Sequence, residues 1–225
     1  MRLTYATKQA VDFACKNFHY AKCVPINTIG YNVYNDNGEW CGVVLFGTGA
    51  APKIASPFGL CQGQVLELVR VALNGKQKCT SQVVSASLKQ LKKDCPLCRL
   101  VVSYADCDQN HLGTIYQATN WVYVGETTNG QSHAFLINGK KIHEKSVREY
   151  VLKRYKSGTL ENIKKAYNTE DVVKFYTKGK RKYLFPLDKK MKKQIEPLRQ
   201  SYPKEDEAWT KIDRNKFKHD NNGND

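Results

Sequence analysis

At 225 residues the chain is long enough for one well-packed domain with an appendage, and too short for two full-sized domains. Its net charge is +15, with 24 basic and 13 acidic residues after Asn138, so nucleic acid is the first expected partner and an anionic membrane surface the second. The sequence shows neither an apolar run of about 18 residues nor a secretory signal, and we therefore expect a cytoplasmic protein with no membrane partner.

The first part of the chain shows an order of elements typical of a mixed α/β fold. We predict, in chain order, a helix over Thr7–Phe18, strands over Thr28–Tyr34 and Trp40–Phe46, a central strand over Val65–Leu73, a helix from Thr80 or Ser81 to Lys93, a strand over Arg99–Tyr104, a short helix over Gly113–Thr119, and strands over Trp121–Gly125 and Ser132–Ile137. Antiparallel strands followed by strand–helix–strand crossovers match the acetyltransferase fold of the GNAT superfamily. The predicted fold is therefore α/β, with an acetyltransferase-like mixed central sheet flanked by helices.

The pattern changes after Gly139. We predict helices over Glu144–Tyr155 and Leu160–Tyr167, a Lys-rich strand over Lys180–Phe185 and a basic helix from Asp188. The predicted organisation is thus a catalytic domain over residues 1–138 and a basic, mainly helical, DNA-binding extension packed on it over residues 139–204. Residues 205–225 form a polar tail that we expect to be disordered, because it has too little apolar surface to offset its ordering entropy.

All eight cysteines lie before Asp108 and are interpreted as small hydrophobic residues of a reducing compartment. Cys95, Cys98, Cys107 and His111 offer the ligand types of a zinc site, with a Cys-x-x-Cys pair followed by a Cys-x-x-x-His. A strand over Arg99–Tyr104 would place Cys98 and Cys107 roughly 25–30 Å apart, which is too far to share one ion.

Polar side chains collect where the strand over Arg99–Tyr104 ends. Carboxyl ends of strands are where α/β sheets expose reactive groups, and this stretch offers a carboxylate, an imidazole, phenols and amides for acid–base chemistry. A capped helix with solvated loop residues is the alternative. The candidate catalytic residues are Ser103, Tyr104, Asp106, His111, Tyr116 and Asn120.

Aromatic residues of the same stretch offer a second interpretation. Tyr104, Tyr116, Trp121 and Tyr123 could stack on an extruded base. Aromatic residues on strands more often fill cores, and both interpretations stay open.

One known family shows the same combination of segments. These are SYAD (103–106), His111, GTIYQATNW (113–121), the His19–Tyr20 pair, ELVRVAL (67–73) and the late KYLFPL and SYPK segments. The chain therefore resembles the Mom family of phage DNA-modification proteins over roughly residues 15–204. The resemblance implies an acetyltransferase-superfamily enzyme, encoded by a phage and acting in the bacterial host, that converts adenine in DNA to a carbamoylmethyl (acetamido-type) derivative at its exocyclic amine and so protects phage DNA from restriction.

The group donor is left open between acetyl-CoA and another two-carbon or glycine-derived donor. Acetyltransferases usually hold the cofactor pyrophosphate with a Gly-rich loop, whereas the loop over Asn74–Ser81 has one glycine. Simple acetyl transfer makes an amide, whereas the product implied by the resemblance joins nitrogen to a CH₂ carbon. The candidate cofactor-binding residues are Glu67, Arg70, Lys76, Lys78 and Ser81.

Glu67 and Arg70 interrupt the apolar central strand, and alternation along a strand predicts that they lie on opposite faces. A buried charge is costly unless it is paired, so an ion pair that holds the fold and a role in the site are both open.

Nitrogen and oxygen ligands of the kind that hold non-haem iron are present, and the resemblance is consistent with iron dependence. Acid–base groups are the alternative interpretation of the same side chains. The candidate iron ligands are His19, Tyr20, Asp106 and His111.

Catalysis on adenine in a duplex requires the base to leave the stack, so double-stranded DNA with a flipped adenine is the predicted substrate. We expect Asp106 or His111 to accept a proton from the amine, while Tyr104, Tyr116 and Asn120 orient the base or the donor. An N-acetyltransferase of a protein or small amine and a nonenzymatic DNA-binding accessory protein are the alternatives, and a homodimer stays open. The candidate phosphate-binding residues are Lys178, Lys180, Arg181, Lys182, Lys189 and Lys190.

Overall fold

The structure, a computed structural model, describes residues 1–26, 29–49, 53–127 and 133–204. The chain divides into two compact units. The large unit consists of Met1–Tyr104, Leu112–Val124 and the chain from Lys182 onward, and the small unit consists of Ala105–His111 and Gly125–Arg181. The predicted domain boundary at residue 138 does not coincide with this division, and the predicted polar tail over residues 205–225 lies outside the described residues.

Ten strands and six α-helices are described. The strands are β1 (Arg2–Tyr5), β2 (Ile29–Tyr34), β3 (Trp40–Gly47), β4 (Val65–Leu73), β5 (Leu100–Asp106), β6 (Val122–Glu126), β7 (His133–Ile137), β8 (Lys140–His143), β9 (Val172–Tyr176) and β10 (Lys180–Pro186). The helices are α1 (Lys8–Phe18), α2 (Thr80–Asp94), α3 (Thr114–Gln117), α4 (Glu144–Leu152), α5 (Leu160–Tyr167) and α6 (Lys189–Ile195). Within the described residues, none of the helices combines the length and apolar composition needed to cross a bilayer.

The large sheet has seven strands in the order β1-β2-β3-β4-β5-β10-β6. Strands β1 to β4 pair antiparallel with their sequence neighbours, and β4 pairs parallel with β5 after the crossover through α2. The α/β class and the acetyltransferase-like order predicted from the sequence are therefore confirmed. β4 lies inside the sheet, which explains its nearly continuous apolar sequence.

Helices cover this sheet because their apolar residues recur at helical spacing. Val11, Ala14 and Cys15 of α1 are buried against Leu45 and Ala72 of the sheet. The hydroxyl of Thr7 accepts a hydrogen bond from the backbone N–H of Ala10 and caps this helix.

α6 packs on a second apolar cluster of the sheet. Met191 and Ile195 are fully buried there together with Leu100 and Val102 of β5. Asp188 accepts a hydrogen bond from the N–H of Met191 and also pairs with Arg99, which lies just before β5. The two interactions fix the start of α6 to the start of β5.

The small unit has a sheet and a core of its own. Its three strands follow the order β8-β7-β9, all antiparallel. One face of this sheet packs on α4 and α5 through five buried residues. They are Phe135, Ile137, Val147, Val151 and Ile163.

Several boundaries differ from the prediction. β5 extends two residues beyond Tyr104, and α4 ends at Leu152 rather than at Tyr155. The first residue before α2 is Cys79, which takes the N-cap position expected for Thr80 or Ser81. β1, β8 and β9 were not predicted, and β7 belongs to the small sheet rather than to the large one.

Candidate functional site

β4 and β5 separate partway along their length. Their described pairing covers Val65–Glu67 of β4 and Leu100–Val102 of β5, although both strands continue toward their carboxyl ends. The hydroxyl of Ser103 donates to the carbonyl of Leu68 at 3.0 Å, so a side chain takes the place of the next ladder bond. The result is an opening between two parallel strands at their carboxyl ends, the position at which α/β sheets bind ligands.

A β-bulge lies in β4 beside this opening. Leu45 of β3 faces Arg70, while the next residue along β3, Phe46, faces Leu68, so Val69 is the extra residue of the bulged strand. Gly47 of β3 faces Glu67. Bulges of this kind change the direction in which side chains point, and they often occur next to active sites.

The bulge places Glu67 and Arg70 on the same face of the sheet. Their partners on β3, Gly47 and Leu45, are two residues apart, and residues two apart on a strand share a face. Leu45 packs against α1, so both charges lie on the α1 face. The prediction that Glu67 and Arg70 lie on opposite faces was wrong, because simple alternation does not hold across a bulge.

Glu67 and Tyr104 provide a carboxylate and a phenol at the opening. Glu67 faces Val102 across the ladder, and Tyr104 is two residues beyond Val102 on the same face. Both side chains are half-buried, and burial, followed by the negative charge of Glu67, raises the pKa of Tyr104 to about 12. Tyr104 is therefore a protonated hydrogen-bond donor at neutral pH.

Gly49 covers the carboxylate of Glu67. A Cβ added to Gly49 would lie 2.7 Å from Oε2 of Glu67 and 3.1 Å from Cδ1 of Ile54. The backbone φ of Gly49 is +80°, a value that favours glycine. Sequence reasoning missed this contact, and its only signal was the glycine-rich composition of the loop after β3.

Ser103 and Tyr116 form a buried hydroxyl pair on the other side of β5. Their oxygens are 2.8 Å apart, and Ser103 is completely buried. Burial raises the pKa of Tyr116 to about 12, although the hydrogen bond with Ser103 acts in the opposite direction.

The aromatic residues in α3 and directly after it form part of the core. Tyr116 packs against Trp121 at 5.1 Å and against Tyr183 at 5.0 Å, and Trp121 packs against Phe185 at 5.4 Å between ring centroids. Trp121 and Tyr183 are fully buried. The structure therefore favours the core interpretation for Tyr116, Trp121 and Tyr123 over base stacking, whereas half-buried Tyr104 and exposed Tyr20 retain accessible rings.

His19 lies against Arg70, and the ring of Tyr20 lies beside that of His19 at 4.3 Å between ring centroids. A guanidinium nitrogen of Arg70 is 3.3 Å from both ring nitrogens of His19, and Nδ1 of His19 accepts a hydrogen bond from the N–H of Ala21. A positive charge so close to the ring opposes the binding of a cation. Among the described residues no group of three or more His, Cys, Asp or Glu could hold a metal ion, so the structure does not support the iron site considered for His19, Tyr20, Asp106 and His111.

Arg70 and the start of α2 offer hydrogen-bond donors rather than metal ligands. Nε of Arg70 is buried and has no hydrogen-bond partner among the described residues. At α2 the hydroxyl of Ser81, with the backbone N–H groups of Gln82 and Ser81, lowers the pKa of Cys79. The N-terminus of α2 therefore favours a negative charge on Cys79. Sequence reasoning missed Cys79, whose signal was its position directly before Thr80.

The other predicted cofactor-binding side chains differ in whether their polar groups already have partners. The ammonium of Lys76 pairs with Glu39 at 3.2 Å, and the hydroxyl of Ser81 lies 3.0 Å from the sulfur of Cys79. Lys78 is exposed near α2. Of the predicted lysines in this loop, Lys78 is the one better able to meet an anion.

Asp106 and His111 belong to the small unit. The carboxylate of Asp106 accepts a hydrogen bond from the N–H of Asp108 at 3.0 Å, and the backbone N–H of His111 donates to the carbonyl of Asp106. The half-buried side chain of Asp106 thus caps the short helical turn after β5, while His111 is exposed. Asn120, in the large unit, is exposed and adopts a left-handed conformation with φ +59° after α3. Their catalytic roles stay predictions.

The basic side chains predicted to contact phosphates lie in different surroundings. The guanidinium of Arg181 pairs with Glu126 at 3.1 Å and donates to the carbonyl of His111, so its charge is already compensated. Lys182 is half-buried over the ring of Phe58, and burial lowers its pKa. The remaining four are exposed at the surface, and they are Lys178, Lys180, Lys189 and Lys190.

Solved structures similar to this chain include several N-acetyltransferases. A protein assigned as a phosphinothricin N-acetyltransferase is 10% identical with a TM-score of 0.48, over 84% of this chain and 99% of its own. The spermidine/spermine N-acetyltransferase SpeG of Vibrio cholerae, in complex with manganese, is 8% identical with a TM-score of 0.46, over 85% and 95%. A Bacillus subtilis acetyltransferase in complex with CoA is 12% identical with a TM-score of 0.43, over 82% and 97%.

Sequence comparison assigns the chain to a family over nearly all of the described residues. No curated protein matches the chain. A family model, in contrast, covers residues 3–204, which include β4, the Ser103–Asp106 segment and α6. The chain therefore belongs to the Mom protein family.

Proposed function

We propose that this protein transfers a two-carbon group from a donor to the exocyclic amine of adenine in DNA, giving the N-carbamoylmethyl (acetamido) derivative implied by the Mom resemblance. The observation that carries the proposal is the opening between β4 and β5, which places the carboxylate of Glu67 and the phenol of Tyr104 on one face. Membership of the Mom family and the net charge of +15 support a DNA substrate.

The chemistry needs one bond to form and one to break. The amine nitrogen of a flipped adenine forms a bond to the donor carbon, and the donor's leaving group takes the electrons of the broken bond. The proton lost by the nitrogen needs a nearby base, for which half-buried Glu67 is suited, while protonated Tyr104 can donate to the leaving group or to the base ring. Asp106 and His111 remain the proton acceptors predicted from the sequence.

Mass spectrometry of nucleosides digested from expressing cells tests the proposal. Cells that express the wild-type protein should contain a modified deoxyadenosine, and Glu67→Gln should lower its amount by about 10²–10⁴-fold, because it keeps the shape of the side chain but removes the base. Tyr104→Phe and Asp106→Asn are compared in the same assay. Unmodified deoxyadenosine with the wild-type protein would rule the proposal out, and full activity of a folded Glu67→Gln protein would remove Glu67 from the mechanism.

Acetyl transfer to a protein or small amine is the second candidate, and the start of α2 favours it because negative charge is stabilised there. That function predicts that acetyl-CoA raises the melting temperature of the protein. It also predicts that the DNA of expressing cells contains no modified deoxyadenosine. A nonenzymatic DNA-binding accessory protein predicts DNA binding with neither a modified nucleoside nor a response to acetyl-CoA.

A further inference from the structure

The small unit carries two groups of basic residues that differ in their partners. On α5 and the chain after it, Lys164 pairs with Glu170 and Lys165 pairs with Glu161, each at 2.6 Å between nitrogen and oxygen. These two positive charges are therefore compensated by neighbouring carboxylates.

The basic residues of α4 and of the turn after it lack such partners. We call this group the α4 basic surface, and all of its cations are exposed and have no acidic partner within the part of the chain that the structure describes. They are Lys145, Arg148, Lys153, Arg154 and Lys156. α4 has two acidic residues, Glu144 and Glu149. Glu144 lies 3.3 Å from His133. The surface thus carries a net positive charge, and the structure describes no ion pair for any of its five cations.

We infer that the α4 basic surface binds the phosphate backbone of double-stranded DNA. Lys145 and Lys153 are eight residues apart, which corresponds to about 12 Å along a helix. That length of duplex carries about three to four phosphates on each strand. The choice of DNA as the polyanion rests on the proposed function. The inference adds the surface of the protein that would bind this DNA.

The surface offers charge rather than a ring for an unpaired base. The guanidinium of Arg154 lies 3.9 Å from the ring centroid of Tyr150, and the ring of Tyr167 packs beside it at 4.8 Å. Single-stranded nucleic acids are usually held by aromatic rings that stack on bases. Tyr150 is 36% exposed, but Arg154 already lies over its ring. A duplex, which presents its phosphates and keeps its bases stacked, fits this arrangement better.

A membrane surface fits less well. A helix that binds a bilayer inserts its apolar face between the lipids. In α4 that face consists of Val147 and Val151, which are 1% and 0% exposed and belong to the core of the small unit. Apart from Tyr150 and Leu152, which are 36% and 45% exposed, α4 therefore presents no large apolar side chain that could insert into a bilayer.

Two double variants with the same change in net charge test the inference in the full-length protein. Arg148→Gln/Lys153→Gln removes two uncompensated charges, and Lys164→Gln/Lys165→Gln removes two compensated ones. Binding to a fluorescent duplex of about 20 base pairs is measured from about 50 to 300 mM salt. The first variant should weaken binding roughly tenfold to thirtyfold at about 0.15 M salt and reduce the slope of log K against log salt by about 1.8, whereas the second should change the slope by less than about 0.5.

The outcomes separate this inference from the proposed function. Equal effects of the two folded variants on a duplex that the wild type binds would overturn the surface and leave DNA as the partner. No duplex binding by the wild type would overturn both. Loss of binding to phosphatidylserine vesicles or to a single strand, with duplex binding unchanged, would assign the surface to that other ligand. The predicted loss of duplex binding in a protein that never modifies adenine would uphold the surface and reject the enzyme.

Discussion

The backbone of Gly113 lies directly against the ring of Tyr183. Its φ is +76°, and an added Cβ would be 2.5 Å from Cε2 of the ring. Because Tyr183 is fully buried, the ring cannot move aside at low cost. We predict that Gly113→Ala lowers the free energy of unfolding by about 2–4 kcal/mol, measured by urea denaturation.

Gly75→Ala is the matched control at the same residue scale. Its φ of +87° gives a similar backbone strain, but no atom lies within 4 Å of the added Cβ. It should cost only about 1 kcal/mol, and the difference between the two variants measures the contact with Tyr183. Equal losses in both variants would mean that the contact contributes nothing.

At the scale of the element, the start of α2 lowers the pKa of Cys79, the residue directly before the helix. Cys79 is exposed and has a lowered pKa, whereas burial raises the pKa of Cys98 to about 11. Since the thiolate is the reactive form, Cys79 should react with iodoacetamide at pH 7 faster than Cys98, and its rate should reach a plateau at lower pH than that of an ordinary thiol near 8.5. Peptide mass spectrometry after timed labelling measures both.

The same labelling reports on the donor. An acetyl-CoA pyrophosphate at the start of α2 would cover Cys79 and slow its reaction, while exposed Cys61 at a distance in sequence should react at its former rate. An unchanged rate at Cys79 under saturating acetyl-CoA would place any CoA elsewhere, and would favour a different two-carbon donor.

Periodicity predicted most elements because their apolar residues recur with the period of the helix or strand that they form. Val65–Leu73 and Leu160–Tyr167 have the predicted bounds. The bulge at Val69 could not be predicted, since it depends on the register with β3 and leaves the apolar pattern of β4 unchanged. For the same reason the pattern of β7 predicts a strand but not the sheet to which it belongs.

The candidate site was predictable in part. Tyr104 and Glu67 stand out in the sequence as polar residues at the end and in the middle of apolar strands, and both lie at the opening. The burial of Tyr116 in an aromatic cluster depends on Tyr183, more than sixty residues away along the chain, and no local pattern indicates that contact.

For the molecule as a whole, the two units have separate apolar cores. Val151 is fully buried in the core of the small unit, and Val43 is fully buried in the α1 cluster of the large unit. Val151→Ala should speed amide hydrogen exchange in β7 and α5 by roughly tenfold to a hundredfold and leave β3 unchanged, because removing buried methyl groups costs about 1–3 kcal/mol in the unit that contains them. Exchange measured by mass spectrometry gives the rates for each segment.

Val43→Ala is the reciprocal variant. It should speed exchange in β3 and leave β7 at its original rate. Acceleration of all segments in both variants would show that the chain opens as one cooperative body, in spite of its two cores.

The hydroxyl of Ser103 bonded to the carbonyl of Leu68 keeps a gap in the sheet before any substrate arrives. An intact ladder would have to lose backbone hydrogen bonds, each with a net value of about 0.5–1.5 kcal/mol, for a ligand to enter between the strands. Here the two strands are already separated in the folded protein. Binding of the substrate and donor therefore does not have to break backbone hydrogen bonds, and more of the binding free energy remains for orienting them.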